Sequence, residues 1–234
     1  MRMFGSKQRL LLTGLVCLSC VGFSLILAAS SNVAPVQQKP STSITLSSSM
    51  NPSRFGLLLT FTASVHAAPG KTVEGLVTFK DGKTVLGTGN VNRSGQATLS
   101  TPILSAGLHL ISVSYREGQN QAEAASSILR QAIDRAPTVT SIHLPSSSAP
   151  GTGITLTASV FTKDPAPTAG PPMGSVIFKD GKTVLGTATI NMFQQAVFSA
   201  PALSAGLHSL TASYQGNANF AGSTSSTFNL TVTK

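Results

Sequence analysis

From Leu59 to Val65 the chain alternates apolar and hydroxyl side chains at every step, with Leu59, Phe61, Ala63 and Val65 on one parity and Thr60, Thr62 and Ser64 on the other. A second stretch does the same, setting Ile154, Leu156, Ala158 and Val160 against Thr155, Thr157 and Ser159. Strict period-two alternation predicts a strand with one face buried and one in water. Shorter segments follow in the same order in each half: Val77/Phe79, Ala97/Leu99 and Ile111/Val113/Tyr115, then Val176/Phe178, Ala196/Phe198 and Leu210/Ala212/Tyr214. Ile44/Leu46 and Ile142/Leu144 mark opening strands, with Leu129/Gln131/Ile133 and Phe228/Leu230/Val232 as closing ones. Residues 121–133 resemble a helix in isolation, but their register against 221–232 makes them a strand. Asp81-Gly82 and Asp180-Gly181 sit between alternating segments and predict tight hairpin turns. Each half therefore predicts six or seven short strands, the pattern of an antiparallel β-sandwich.

The halves are copies. FKDGKTVLGT occurs at 79–88 and 178–187, and LSAGLH at 104–109 and 203–208, so the chain repeats at a period of about 99 residues. Between 75–115 and 174–214, about 25 of 41 positions are identical. The repeat assigns domain 1 to residues 41–134 and domain 2 to 136–234, each long enough to bury its own core.

Each copy resembles the bacterial Ig-like repeat family of secreted and cell-surface proteins. The residues that carry the resemblance run from T-S-I-T-L at 42–46 (T-S-I-H-L at 140–144) through the T-A-S-V strand, G-x-V-x-F-K-D-G-K-T-V-L-G-T and L-S-A-G-L-H to Tyr115 and Tyr214. The resemblance implies two immunoglobulin-like antiparallel sandwiches in series. It also implies that each Tyr ties a corner to the backbone through its hydroxyl. After that Tyr the family often carries Gly-Asp and an aromatic. Domain 2 keeps Gly216-Asn217 and Phe220, whereas domain 1 has Gly118-Gln119, no aromatic, and Gln131 at a core-parity position. Domain 1 is thus expected to be the less stable copy.

Arg2, Lys7 and Arg9 precede an apolar run at 10–27, which ends in Ala28, Ala29, Ser30 and Ser31. Basic start, apolar run and small-residue exit predict a signal peptide over 1–30, cut near Ser30–Ser31, with a polar linker over 31–40. The rival is an uncleaved anchor, since 10–29 is long enough to span a bilayer. Cys17 and Cys20 lie inside the apolar run, so their C-x-x-C spacing carries no redox or zinc implication. The mature chain would then hold no cysteine and rest on its two cores alone.

The formal charge of +9 falls to about +6 without Arg2, Lys7 and Arg9, and the remaining bases are scattered singly. No nucleic-acid groove is expected from that pattern. Catalysis needs a nucleophile with base and orienter, or paired carboxylates, and the sequence holds only seven Asp and Glu, with Asp81 and Asp180 assigned to turns. No catalytic residue, cofactor or metal is expected: His66, His109, His143 and His208 are scattered, and one shared His per domain cannot complete a metal site. With no Trp, and both tyrosines structural, sugar stacking would have to use loops such as Lys163–Met173, the largest local difference between the copies.

The sequence therefore predicts a non-enzymatic secreted or cell-envelope protein, serving as spacer or as protein-interaction and adhesion module. The alternative is a carbohydrate-binding adhesin using Lys163–Met173. Its partner is an unidentified protein or cell-envelope polysaccharide, with membrane contact only through the N-terminal segment if uncleaved. The oligomeric state is left open.

Overall fold

The computed structural model describes residues 42–233 apart from 68–69, 71, 103, 117–123, 127, 145–150, 152 and 165–167. The expected signal segment with both cysteines, the linker, Gly118-Gln119 and the centre of Lys163–Met173 lie outside the described residues. Lys39–Lys234 forms one compact unit.

Every regular element in the described residues is a strand. Domain 1 contains β1 (Ser43–Ser48), β2 (Ser53–Arg54), β3 (Leu59–His66), β4 (Leu76–Asp81), β5 (Thr84–Asn90), β6 (Gln96–Thr101), β7 (Gly107–Arg116), β8 (Ala124–Ala125) and β9 (Leu129–Asp134). Domain 2 contains β10 (Thr138–His143), β11 (Ile154–Thr162), β12 (Ser175–Asp180), β13 (Thr183–Thr189), β14 (Gln195–Ala200), β15 (Gly206–Tyr214), β16 (Ser223–Thr224) and β17 (Phe228–Val232). In domain 1 the sheet β1-β3-β6 faces β2-β9-β7-β4-β5, with β8 also on β7. In domain 2 β10-β11-β14 faces β13-β12-β15, with β16 and β17 both on β15. All pairs are antiparallel except β2 with β9.

The alternation turns the expected residues inward. Phe61, Val77, Phe79, Ile111 and Val113 close one core, and Leu156, Val176, Phe178, Leu210 and Tyr214 the other. The Asp-Gly turns form as expected, Gly82 and Gly181 both adopting φ of 55° in the left-handed region. Beyond each turn the hairpin pairs in register except for one irregularity, after Phe79 and after Phe178.

Two details differ from the sequence expectation. Matching T-S-I-T-L with T-S-I-H-L equates Ile44 with Ile142, yet Ile44 lies opposite Val65 whereas Ile142 lies opposite Ala158, the counterpart of Ala63. Strand β10 has slipped by two residues relative to β1. The slip preserves parity, so apolar residues still face inward. Its cause is at the start of the strand, where the Thr138 hydroxyl donates to Ala221 O at 2.7 Å and the Thr140 hydroxyl meets Ser223 Oγ at 2.7 Å. The two threonines thus take inward positions, Thr140 the one that Ile44 fills in domain 1.

The second difference is at the closing strand. Gln131 and Ile133 are buried in β9, but in β17 Leu230 and Val232 are half-buried and Phe228 is exposed. Strand β9 is flanked by β7 and β2, whereas among the described residues β17 pairs only with β15.

Candidate functional site

The two best-preserved motifs meet at one end of each sandwich. Asp180, from the β12–β13 turn, accepts from Ser209 N at 2.9 Å through Oδ1, and its Oδ2 lies 2.6 Å from His208 Nδ1. His208 Nε2 lies 2.8 Å from Ser204 O, so the L-S-A-G-L-H loop folds back onto its own histidine. A carboxylate on one ring nitrogen and a carbonyl on the other make both nitrogens donors, which is the imidazolium form. The hydrogen bond with Asp180, then that with Ser204, holds His208 above its ordinary value against the opposing effect of burial. The hydrogen bond with His208 lowers Asp180, against a smaller rise from desolvation. Domain 1 repeats the arrangement, with His109 Nδ1 2.7 Å from Asp81 Oδ2 and His109 Nε2 2.9 Å from Ser105 O.

An Asp–His pair can serve as orienter and base of a catalytic triad, but the base needs its second nitrogen free for the nucleophile. Here a backbone carbonyl occupies that nitrogen in both domains. The pair acts as a clamp between a hairpin and a loop. The tyrosines also act structurally: Tyr115 Oη donates to Glu74 O at 2.7 Å and Tyr214 Oη to Met173 O at 2.8 Å. Among the described residues no group of three His, Cys, Asp or Glu converges as a metal site would require. His66 and His143 are exposed strand-end residues.

Asp164, Thr168 and Ala169 of the Lys163–Met173 stretch meet domain 1. Arg54 Nη1 pairs with Asp164 Oδ2 at 2.6 Å, and the Thr168 hydroxyl donates to Gly56 O at 2.8 Å. Phe55 meets Phe220 edge to face, with ring centroids 5.5 Å apart. Gly56 is buried with φ of 84°, and a Cβ there would come within 2.4 Å of Ala169. On the far side of the joint Asn219 Oδ1 accepts from Ala106 N at 3.0 Å. The connecting segment is fastened as well, since Ala136 N donates to Asn219 O and Ala221 N to Ala136 O, each at 2.9 Å. Asp134 ends β9 of domain 1 beside Arg54 while Ala136 is built into domain 2, so the link does not hang as a tether.

At the opposite end of domain 1 an open groove runs past Val65, Val73, Glu74, Val91, Arg93 and Arg116. It mixes apolar walls with both signs of charge and presents no convergent catalytic set.

A family model of the bacterial Ig-like domain (group 3) matches residues 30–133 and again 141–233. The chain belongs to the bacterial Ig-like domain family. A search of curated protein sequences finds no match. Among solved structures, the fibronectin(III)-like modules of Clostridium thermocellum CbhA align over 81% of this chain and 94% of theirs, at 16% identity and a TM-score of 0.35. The Yersinia pseudotuberculosis adhesin InvE aligns over 80% of this chain and 59% of its own, at 17% identity and TM-score 0.43. A tetra-tandem repeat from the extending region of a large adhesion protein aligns over 81% and 49%, at 14% identity and TM-score 0.48.

The two bacterial Ig-like domains share the clamp and the tyrosine corner, whereas the joint uses residues that only one copy has. Phe220, whose counterpart by sequence in domain 1 is Gln121, receives Phe55 from the preceding domain. Residues 145–153, which follow β10 as 49–58 follow β1, contain no aromatic. Sequence reasoning singled out Phe220 and the 163–173 loop separately. What it missed was their shared partner on β2 and the residues just after it.

Proposed function

We propose that this chain is an exported bacterial surface protein that works by geometry and binding, holding two Ig-like domains as one stiff spacer that presents interaction surfaces. The observation that carries this reading is the joint. Apolar, ionic and backbone contacts together fasten Arg54, Phe55 and Gly56 of domain 1 to Asp164, Thr168 and Phe220 of domain 2. A connection meant to swivel would leave these groups to solvent, as flexible linkers do. The carbohydrate-binding alternative relied on the 163–173 loop, and Asp164, Thr168 and Ala169 of that loop already serve domain 1.

The test is protease shaving of producing cells followed by cross-linking in situ. A surface spacer is cleaved from intact cells and cross-links to another envelope protein. A chain that stays protected inside the cell, or that turns over a substrate unaltered by loss of the clamp, refutes the proposal.

A further inference from the structure

The closing strand of domain 1 is held along its outer edge by a strap made of residues 50–55. Strand β2 lies parallel to β9, with Ser53 opposite Ile133 and Arg54 opposite Asp134. Just before β2 the Asn51 side chain takes the place of a strand. Its Nδ2 donates to Arg130 O at 2.8 Å, and its Oδ1 accepts from Ala132 N at 3.1 Å. Gln131 Nε2 donates to Met50 O at 2.9 Å, and Phe55 N donates to Asp134 O at 2.9 Å. The strap is thus bonded to β9 from Arg130 to Asp134, and the Phe55 ring carries it on to Phe220 of domain 2.

Gln131 is the odd member of this set. It lies opposite His109, and the residue in the same place in domain 2, opposite His208, is Leu230. Gln131 is fully buried, and its Oε1 accepts nothing from the described residues. A buried acceptor without a partner lowers stability, so packing does not account for a glutamine at this position. What glutamine supplies and leucine cannot is the bond to Met50 O.

The direction of these bonds gives that exchange a use. The chain enters domain 1 at Ser43, opposite His66, and leaves it at Asp134, beside Phe55 at the joint. Both β1 and β9 run toward the joint. Tension along the chain therefore draws β1 and the strap one way and β9 the other, each along its own axis. Hydrogen bonds between neighbouring strands stand across the strands, so a pull along the axes loads all of them together. A hairpin pulled from its open end would lose its bonds one at a time.

We propose that residues 50–55 and β9 form a tension strap, with Asn51 and Gln131 as its holding residues, which keeps domain 1 folded when the chain is pulled from its two ends. This rests on the spacer reading, which supplies the tension. The two fail separately, because force is applied to the purified chain and surface shaving to cells.

The test stretches the full-length chain in optical tweezers through Ser41→Cys and Lys234→Cys, in a Cys17→Ser, Cys20→Ser background. Gln131→Leu and Asn51→Ala should each raise the forced unfolding rate of one domain roughly tenfold, as the loss of one or two hydrogen bonds would. The rupture force of that domain falls, and that of the other stays. Gln131→Leu at the same time raises the melting temperature of domain 1 in the Phe55→Ala background, a split that a purely stabilising residue does not give. Asn92→Ala is the control, since it removes the bonds from Ser94 N and Gln96 N at the β5–β6 turn, away from the strands under tension. It should lower the melting temperature and leave the rupture force unchanged. An unchanged or raised rupture force in Gln131→Leu overturns the proposal. A rupture force that follows the melting temperature across all three variants overturns it in favour of a plain stability effect.

Discussion

The ring of Phe55 meets the ring of Phe220 at an interplanar angle of 83°, and the two belong to different domains. Edge-to-face packing of this kind adds about 0.5–1.5 kcal/mol beyond the area it buries. The Arg54–Asp164 pair beside it has side chains 41% and 47% exposed and contributes less, about 0–1 kcal/mol after solvent screening. Phe55→Ala should therefore uncouple the thermal transitions of the two domains in calorimetry, whereas Asp164→Asn should leave them coupled. The reverse ranking would place the strength of the joint in its ion pair.

The clamp makes domain 2 pH-sensitive in a defined direction. Asp180 has a folded pKa lowered from 3.8, so its contribution is present above that value and lost as pH falls through the folded pKa. His208 has a folded pKa raised from 6.5, so its contribution is complete below 6.5 and lost as pH rises through the folded pKa. The stability of domain 2 should peak between those two ordinary values and decline toward alkaline pH. His208→Gln should flatten that profile and cost about 1–2 kcal/mol at pH 5.5, measured by urea unfolding. An unchanged profile in the variant would remove the clamp from the account.

Glycine in the repeated V-L-G-T is expected to matter unequally in the two copies. A Cβ on Gly186 would lie 2.3 Å from the Phe198 ring, which stacks on Phe178 with centroids 5.6 Å apart. A Cβ on Gly87 meets instead the end of Leu99 at 2.8 Å, a side chain that can change rotamer. Gly186→Ala should cost about 1–3 kcal/mol through overpacking, and Gly87→Ala distinctly less. Equal losses in the two variants would contradict the packing argument.

Gln131 accounts for the expected weakness of domain 1. It is fully buried, its Nε2 donates to Met50 O and Ala132 O, and its Oε1 accepts nothing from the described residues. An orphaned buried acceptor costs about 1–3 kcal/mol, while the exposed Met50 carbonyl can be served by water. Gln131→Leu, the residue found at 230 in domain 2, should raise the melting temperature of domain 1 in the uncoupled Phe55→Ala background. A fall would show that Gln131 is needed to hold the 49–51 segment.

Strand positions, inward faces and Asp-Gly turns were legible because period-two alternation and turn chemistry are local. The two-residue slip of β10 was not, since hydroxyl bonds from Thr138 and Thr140 to β16 and the residues before it set it, and strand parity alone cannot distinguish registers two apart. The Asp–His clamp left a trace that was readable: Asp81 and His109, like Asp180 and His208, stand 28 positions apart in both copies. Reading the aspartates only as turn formers and the histidines only as candidate metal ligands concealed the pairing. The joint was half legible, because Phe220 and the 163–173 loop stood out as differences while Phe55 lies in a segment with no pattern of its own.

The stiffness of the pair is the claim on which the functional proposal depends. It is tested by spin labels at Thr98→Cys and Ser199→Cys, both exposed, in a Cys17→Ser, Cys20→Ser background, with the interlabel distance distribution read by pulsed electron resonance. The account predicts a single narrow distribution that broadens when Phe55→Ala and Phe220→Ala are combined. A broad distribution in the unmutated joint would contradict it.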